Sequence, residues 1–392
     1  MKRVYIDYNA TTPLDGEVKA AMIEDLDIYG NASSMHEAGR DAHGRIERAR
    51  AAVGALLGTK AQNIVFTSGG SESNNTVFQT MRRIADTDPR GRTEIITTAI
   101  EHPCVLNSAK FLQELDYKYN VTFLPVDDGG KIRMDALKTA LNEKTLLVSV
   151  MTANNEIGTI QDIKAITALA KAAGAFMHTD AVQAVGKIPV DVEDWDVDYL
   201  TMSAHKIYGP KGVGALFVKN RGTTKSVPLF PLIHGGHQEN GQRAGTYNSI
   251  GILGFGKAAE LAKRNLSEYA KTIWRLREKL REGLLAAVPN IKINGHPTDV
   301  IPNTLNASFP GAEGEAILLA MDLAGIEAST GSACASGSLE PSHVLMAIGA
   351  EAELAHGSIR FSLGWGVTDE DIDYVLETVP PIIARLRAMS TL

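Results

Sequence analysis

The run Val197-Asp198-Tyr199-Leu200-Thr201-Met202-Ser203-Ala204-His205-Lys206-Ile207-Tyr208-Gly209-Pro210-Lys211-Gly212 passes from a short, mostly apolar strand into a polar turn rich in Gly and Pro. Lys206 falls on that turn, just beyond the strand end, and a β run resumes at Val213 to Val218. A lone lysine in a loop is ordinarily a solvated surface group. Here Ser203 and His205 stand beside it, a set suited to a phosphate-bearing carbonyl cofactor. The amine can form a Schiff base while its neighbours bind phosphate.

The same passage from apolar strand to polar loop to helix recurs upstream. Asn63 to Thr67 leads into Ser68-Gly69-Gly70-Ser71-Glu72-Ser73, and Glu94 to Thr98 leads into Glu101-His102-Pro103. Leu146 to Val150 leads into Ala153-Asn154-Asn155-Glu156-Ile157-Gly158, and Ala175 to His178 into Thr179-Asp180-Ala181-Val182-Gln183. Alternation of this kind predicts an α/β fold, with a largely parallel sheet covered by helices on both faces. Ligands gather at the carboxyl ends of such strands, where every one of these polar clusters lies. After Thr246 the character changes to a long helical stretch, roughly Ile250 to Val288, and then an α+β pattern. The division expected is a large domain over about residues 15–258. A small domain takes about 1–14 and 259–392, with the first strand folded back onto it.

The 392 residues suffice for one large or two medium domains. A net charge of -7 argues against a general nucleic-acid or acidic-membrane binder. Two cysteines, Cys104 and Cys334, cannot make a disulfide framework, and the start Met-Lys-Arg-Val-Tyr-Ile-Asp lacks the apolar core of a signal peptide. With no apolar run long enough to cross a bilayer, a cytoplasmic location is expected.

Each polar cluster admits a plain reading and a chemical one. Gly69-Gly70-Ser71 at a helix start is a turn or a phosphate site, since free N–H groups meet the positive helix end there. Asp180 is a helix N-cap, or the partner that keeps a pyridine nitrogen protonated. Gln183 can reach the phenolic oxygen of the same ring, and His102 can stack on its face. Asn155 is a turn residue or a further polar contact. His234 and His237 have no third ligand nearby, so no metal is expected. Cys104, in the apolar start of a helix, reads as a small buried hydrophobe. Cys334 differs: Ser329-Thr330-Gly331-Ser332-Ala333-Cys334-Ala335-Ser336-Gly337-Ser338-Leu339 has the composition of a mobile, exposed loop carrying a reactive thiol.

Taken in order, Phe66 to Asn75, Glu101-His102-Pro103, Asn154 to Gly158, Asp180 to Gln183 and Ser203 to Lys206 resemble the cysteine desulfurases of the NifS/IscS type. These belong to the class V aminotransferase family of fold-type-I enzymes dependent on pyridoxal 5'-phosphate (PLP). The resemblance runs from Tyr5-Ile6-Asp7 to Arg360-Phe361-Ser362-Leu363-Gly364, nearly the whole chain. It implies a mainly parallel seven-stranded sheet sandwiched by helices, and a smaller α+β C-terminal domain carrying the cysteine loop at about 325–341. Carried over by position, Lys206 is the Schiff-base lysine and Gly70, Ser71, Ser203 and His205 hold the phosphate. His102 stacks on the ring, Asp180 faces the pyridine nitrogen, and Gln183 meets the phenolic oxygen. Asn155 and Arg360 grip the substrate carboxylate, for which a planar guanidinium is suited. The segment ending in Arg243-Ala244-Gly245-Thr246 matches one that lends a Thr to the neighbouring subunit's phosphate, which implies a homodimer.

The activity so implied is removal of sulfur from L-cysteine, giving L-alanine and a Cys334 persulfide. That sulfur passes to an acceptor protein for Fe–S cluster assembly or other sulfur-containing products. Lys206 and His102 move protons; Cys334 takes the sulfur. An aminotransferase has no use for the loop thiol, and a selenocysteine lyase shares the same grips. A catalytically silent binding protein would leave gaps in this set, and none is seen. The chain ends at Leu392 without the longer tail by which some relatives meet a cluster scaffold, so the expectation is that docking of that kind is absent or takes another surface.

Overall fold

The computed structural model describes residues 2–115, 118–331 and 340–389. The strands, in chain order, are β1 (Val4–Tyr5), β2 (Ile64–Thr67), β3 (Glu94–Thr98), β4 (Asn120–Leu124), β5 (Thr145–Ser149) and β6 (Phe176–Asp180). They continue with β7 (Tyr199–Ser203), β8 (Gly214–Val218), β9 (Lys292–Asn294), β10 (Thr304–Ser308), β11 (Ile326–Glu327) and β12 (Ser358–Ser362).

Seven of them form one sheet in the order β2-β8-β7-β6-β5-β3-β4. β2, β5, β7 and β8 are buried along their whole length, as an apolar run covered on both faces must be. The sheet is mainly parallel, as expected, but β8 runs antiparallel to both β2 and β7. The cause is length: a parallel return needs a crossover of about a dozen residues or more. The connection from Ser203 to Gly214 holds only one 3₁₀ turn, Ala204–Lys206, and the Gly-Pro turn.

Helices cover this sheet, and two of them start where polar side chains satisfy their free N–H groups. His36 Nδ1 accepts the N–H of Gly39 to start Glu37–Leu56, and Asp162 accepts that of Ala165 to start Ile163–Ala172. Two buried apolar clusters lie on the sheet, one including Ile96, Val148 and Leu200, the other Val65, Phe78 and Leu216.

A third cluster gathers the three-stranded antiparallel sheet β12-β10-β9, the two-stranded β1-β11 pair and the C-terminal helix Asp369–Met389. β1 pairs in parallel with β11, and Asp7 bridges to Ser362, so the first residues do fold back onto this part. Positions 326 and 327, placed within the cysteine loop of about 325–341, are therefore strand. The 39-residue helix Ser249–Ala287, about 58 Å long, joins the two parts. Its first half packs Ile252, Phe255 and Ala259 against the large sheet; its second half packs Ile273, Leu276 and Leu280 into the third cluster. Among the described residues, no helix is long and apolar enough to cross a membrane.

Candidate active site

A cavity of about 210 Å³ opens at the carboxyl ends of the central strands. Lys206, Asp180, His102, Gln183, Ser203 and His205 line it. Gly70, Ser71 and Asn155 complete the wall from the large-sheet side, and Arg360 enters from the small sheet. Five strand-to-loop passages far apart in sequence thus meet at one point, as the switch in strand order requires.

Lys206 closes the 3₁₀ turn after β7 and donates through Nζ to the carbonyls of Asn9 and, at 2.7 Å, Ala10. Asp180 ends β6, and both carboxylate oxygens are engaged. Oδ2 accepts from Asn74 Nδ2 at 2.7 Å and Oδ1 from the Val182 N–H at 3.0 Å. No helix starts directly after Asp180, so in place of the expected helix N-cap the carboxylate caps the turn at Val182, and the residue also lines the cavity. His102 accepts the Cys104 backbone N–H at Nδ1, 3.2 Å away. Burial holds its pKa below the usual histidine value, with Lys206 and His343 adding to this and Asp180 opposing it. His205 is pushed down to about 4 by burial, helped by Lys206, Lys211 and Lys187. Both imidazoles are thus neutral at neutral pH.

The helix Gly70–Ala85 points its N-terminus at the cavity. A Cβ at Gly70 would lie 2.9 Å from Val182 Cγ2, so a residue without one is needed for the helix to come this close. Arg360, in the middle of β12, is 1% exposed. Its Nη2 donates to Asp7 Oδ1 at 2.7 Å and its Nη1 to the Asn155 carbonyl at 3.1 Å. Its Nε is buried without a partner, a donor left for an anion in the cavity it lines.

Two expected residues are not in this wall. Thr246 is exposed and does not line the cavity, and Cys334 lies outside the described residues. One reading is corrected: Cys104 is not simply a core hydrophobe, because its half-buried Sγ faces the cavity. It lies 2.9 Å from His102 Nδ1 and 3.1 Å from Asn74 Nδ2. Burial, with the charge of Asp180, pushes its thiol up to about 12, so it is an inert thiol by acidity. The turn before Pro103 carries it inward together with His102. Asn9, Ala10 and Asn74 were not singled out by sequence, although the stretches Tyr5 to Pro13 and Phe66 to Asn75 contain them.

The donor set fits PLP. A primary amine, a fixed carboxylate, a neutral imidazole and a helix N-terminus with adjacent hydroxyls converge on one cavity, the groups its carbonyl, ring nitrogen, ring face and phosphate require.

The comparisons with known proteins agree. The model of the aminotransferase class-V family, whose members depend on PLP, matches residues 4–375. A cysteine desulfurase IscS of Clostridium botulinum is 48% identical over 395 residues, covering 100% of this chain and 97% of the relative. The cysteine desulfurase 2 of Trichormus variabilis is 48% identical over 391 residues, covering 100% and 95%. Among solved structures, a NifS-like protein superposes with a TM-score of 0.90 at 39% identity, covering 98% of this chain and all of that one. A structure described as SspA in complex with cysteine gives a TM-score of 0.76 at 32% identity, covering 92% and 98%. Matched end to end in sequence and in structure, this chain belongs to the aminotransferase class-V family.

Proposed function

We propose that this chain is a PLP-dependent cysteine desulfurase, which takes sulfur from L-cysteine and releases L-alanine. The observation that carries this reading is that Lys206 and Arg360 line one cavity. An amine able to reach a carbonyl carbon faces a guanidinium able to hold an α-carboxylate, which is the geometry an amino acid substrate needs. The relatives named cysteine desulfurase support the choice of substrate.

In this reading Ser71, Ser203, His205 and the first N–H groups after Gly70 hold the phosphate. His102 lies on the ring, Asp180 keeps the ring nitrogen protonated and Gln183 meets the phenolic oxygen. When bound, PLP supplies a carbonyl for exchange with the substrate amine and a ring that takes up the electron pair released at Cα. Arg360 and Asn155 hold the carboxylate and so aim the Cα–H bond at Lys206, which removes that proton. His102, neutral and at the ring, carries protons on the other side of the cycle. The Cys334 thiolate then attacks the substrate sulfur: an S–S bond forms, the Cβ–S bond breaks, and its electron pair stays on carbon. That carbon takes a proton and leaves in alanine. The two sulfurs are oxidised as the carbon is reduced, so no outside oxidant is needed.

The persulfide on Cys334 goes on to an acceptor protein, for Fe–S cluster assembly or another sulfur-containing product. Exposed Thr246 suits a homodimer in which it reaches the neighbouring subunit's phosphate. The apolar cluster around the small sheet supports a division into a large domain of about 15–258 and a small one of about 1–14 with 259–392, while Ile301 and the segment from Val344 to Ala355 pack into the large-sheet cluster. Purified protein should release both alanine and sulfide from L-cysteine, while Cys334→Ala keeps the visible cofactor band and releases no sulfide. A wild type that holds the cofactor and makes neither product would overturn the reading.

A further inference from the structure

Lys187 lies beneath the cavity and no step above uses it. It is 2% exposed, and Nζ reaches Gln183 Oε1 at 2.6 Å and Asn9 Oδ1 at 2.9 Å. We propose that Lys187 is a positioning residue: it fixes the side-chain amide of Gln183 so that an N–H, and not the carbonyl, faces the cavity.

The hydrogen-bond directions follow from obligate acceptors, not from how the amides were assigned. The Asn9 backbone carbonyl can only accept, so the Gln183 group 3.0 Å from it is the NH₂. The Asn155 carbonyl can only accept, so the Asn9 group 3.1 Å from it is likewise the NH₂. Both amide oxygens must then turn to Lys187, which donates to each. Gln183 lines the cavity and has two N–H groups, one spent on Asn9; the proposal turns the other to the cavity. Rotating the amide would set a carbonyl against the Asn9 carbonyl and an NH₂ against the amine, losing both bonds.

Two acceptors, Gln183 Oε1 and Asn9 Oδ1, face the Lys187 amine, and it donates to both. Burial pushes its pKa well below the usual lysine value, and Lys206 and Arg360 push it further down.

This inference rests on the reading that Gln183 meets the phenolic oxygen. The probe is the holoenzyme without substrate: the visible band of bound PLP is titrated against pH and its midpoint read. With one donor fewer at that oxygen, the proton it shares is held more tightly and the midpoint rises. Gln183→Leu should raise it by about one pH unit, tenfold in proton affinity. Lys187→Met should raise it by a similar amount in the wild type and by nothing further in the Gln183→Leu background. Lys187→Gln, a neutral donor in the same place, should restore most of the wild-type midpoint, and it serves if the Met variant does not fold. An unmoved midpoint in Gln183→Leu would remove the underlying reading and the inference with it. A moved midpoint in Gln183→Leu, with an unmoved one in the Lys187 variants, would overturn the inference alone. Equal shifts from Lys187→Met in both backgrounds would also overturn it, since the lysine would then act without Gln183.

Discussion

The two sheets supply the cavity in different ways. The large sheet offers Lys206, His102 and Gly70 from just past its strands and Asp180 from the last position of β6, and Lys206 and His102 keep partial exposure. The small sheet offers Arg360 from the middle of β12. There the backbone is paired with Asn306 of β10 on one side and bonded to Ser329 on the other, its N–H reaching the Ser329 carbonyl at 2.7 Å. In the proposed reaction, Lys206 and His102, which change partners, sit on turns that can yield, and Arg360, which only grips, sits on a strand that cannot.

The largest test of this contrast is Lys206→Ala. Loss of a proton-transferring amine should lower alanine release about 10²–10⁴-fold, whatever happens to substrate binding. Because the turn keeps its own backbone pattern, the fold should persist, with the thermal midpoint lowered by loss of Nζ bonds such as those to Asn9 and Ala10. A rate within tenfold of wild type would show that this lysine is not the reacting amine.

Arg360→Lys should act in the opposite sense, on binding more than on rate. The charge remains but the planar fork is lost, and Asp7, the Asn155 carbonyl and the carboxylate cannot all be met by one ammonium. Charge-assisted bonds of about 1.5–3 kcal/mol predict a rise in KM for L-cysteine of about 10- to 100-fold, with a smaller fall in kcat. A fall in kcat at unchanged KM would place Arg360 among the reacting groups and dissolve the contrast.

The same difference explains what could be read from sequence. Strand-end clusters stand out because a polar loop interrupts an apolar run, so Lys206, Asp180, His102 and Gly70 are visible by pattern alone. Arg360 is one polar residue inside an apolar strand, a place where pattern predicts only an inward or outward face, and only the resemblance marked it. The antiparallel sense of β8 was implicit in a connection too short for a crossover. Asn74 and Cys104 are different again. They reach the cavity through the rotation of helices whose first turns carry them inward, and helical phase near a terminus leaves little periodic signal. Lys187 sits four residues after Gln183, on one turn of chain, and reads in sequence as an ordinary surface lysine; only its burial sets it apart.

Glu101 sharpens the contrast, because it sits on a strand-end turn yet is as buried as the core. Its Oε1 accepts from Thr98 Oγ1 and from the Met151 N–H, both at 2.8 Å, and so ties the turn that carries His102 to the chain leaving β5. Its Oε2 has no partner. Burial, reinforced by Asp180, raises the carboxyl to about 8 from its usual 4.5, against the two hydrogen bonds, so the folded protein holds it as a neutral acid. Between those two values the native state keeps a proton that the unfolded chain has released. This carboxyl's contribution to stability is therefore complete below about 4.5 and is lost as pH rises toward about 8. Glu101→Gln keeps an acceptor at the Oε1 position and removes the titration. The thermal midpoint of wild type relative to that variant should be most favourable near the acid end of this window and should decline steadily across it. Midpoints that run parallel for the two proteins would mean that Glu101 is ionised in the fold, and that this turn belongs with the solvated strand ends and not with the buried grip of Arg360.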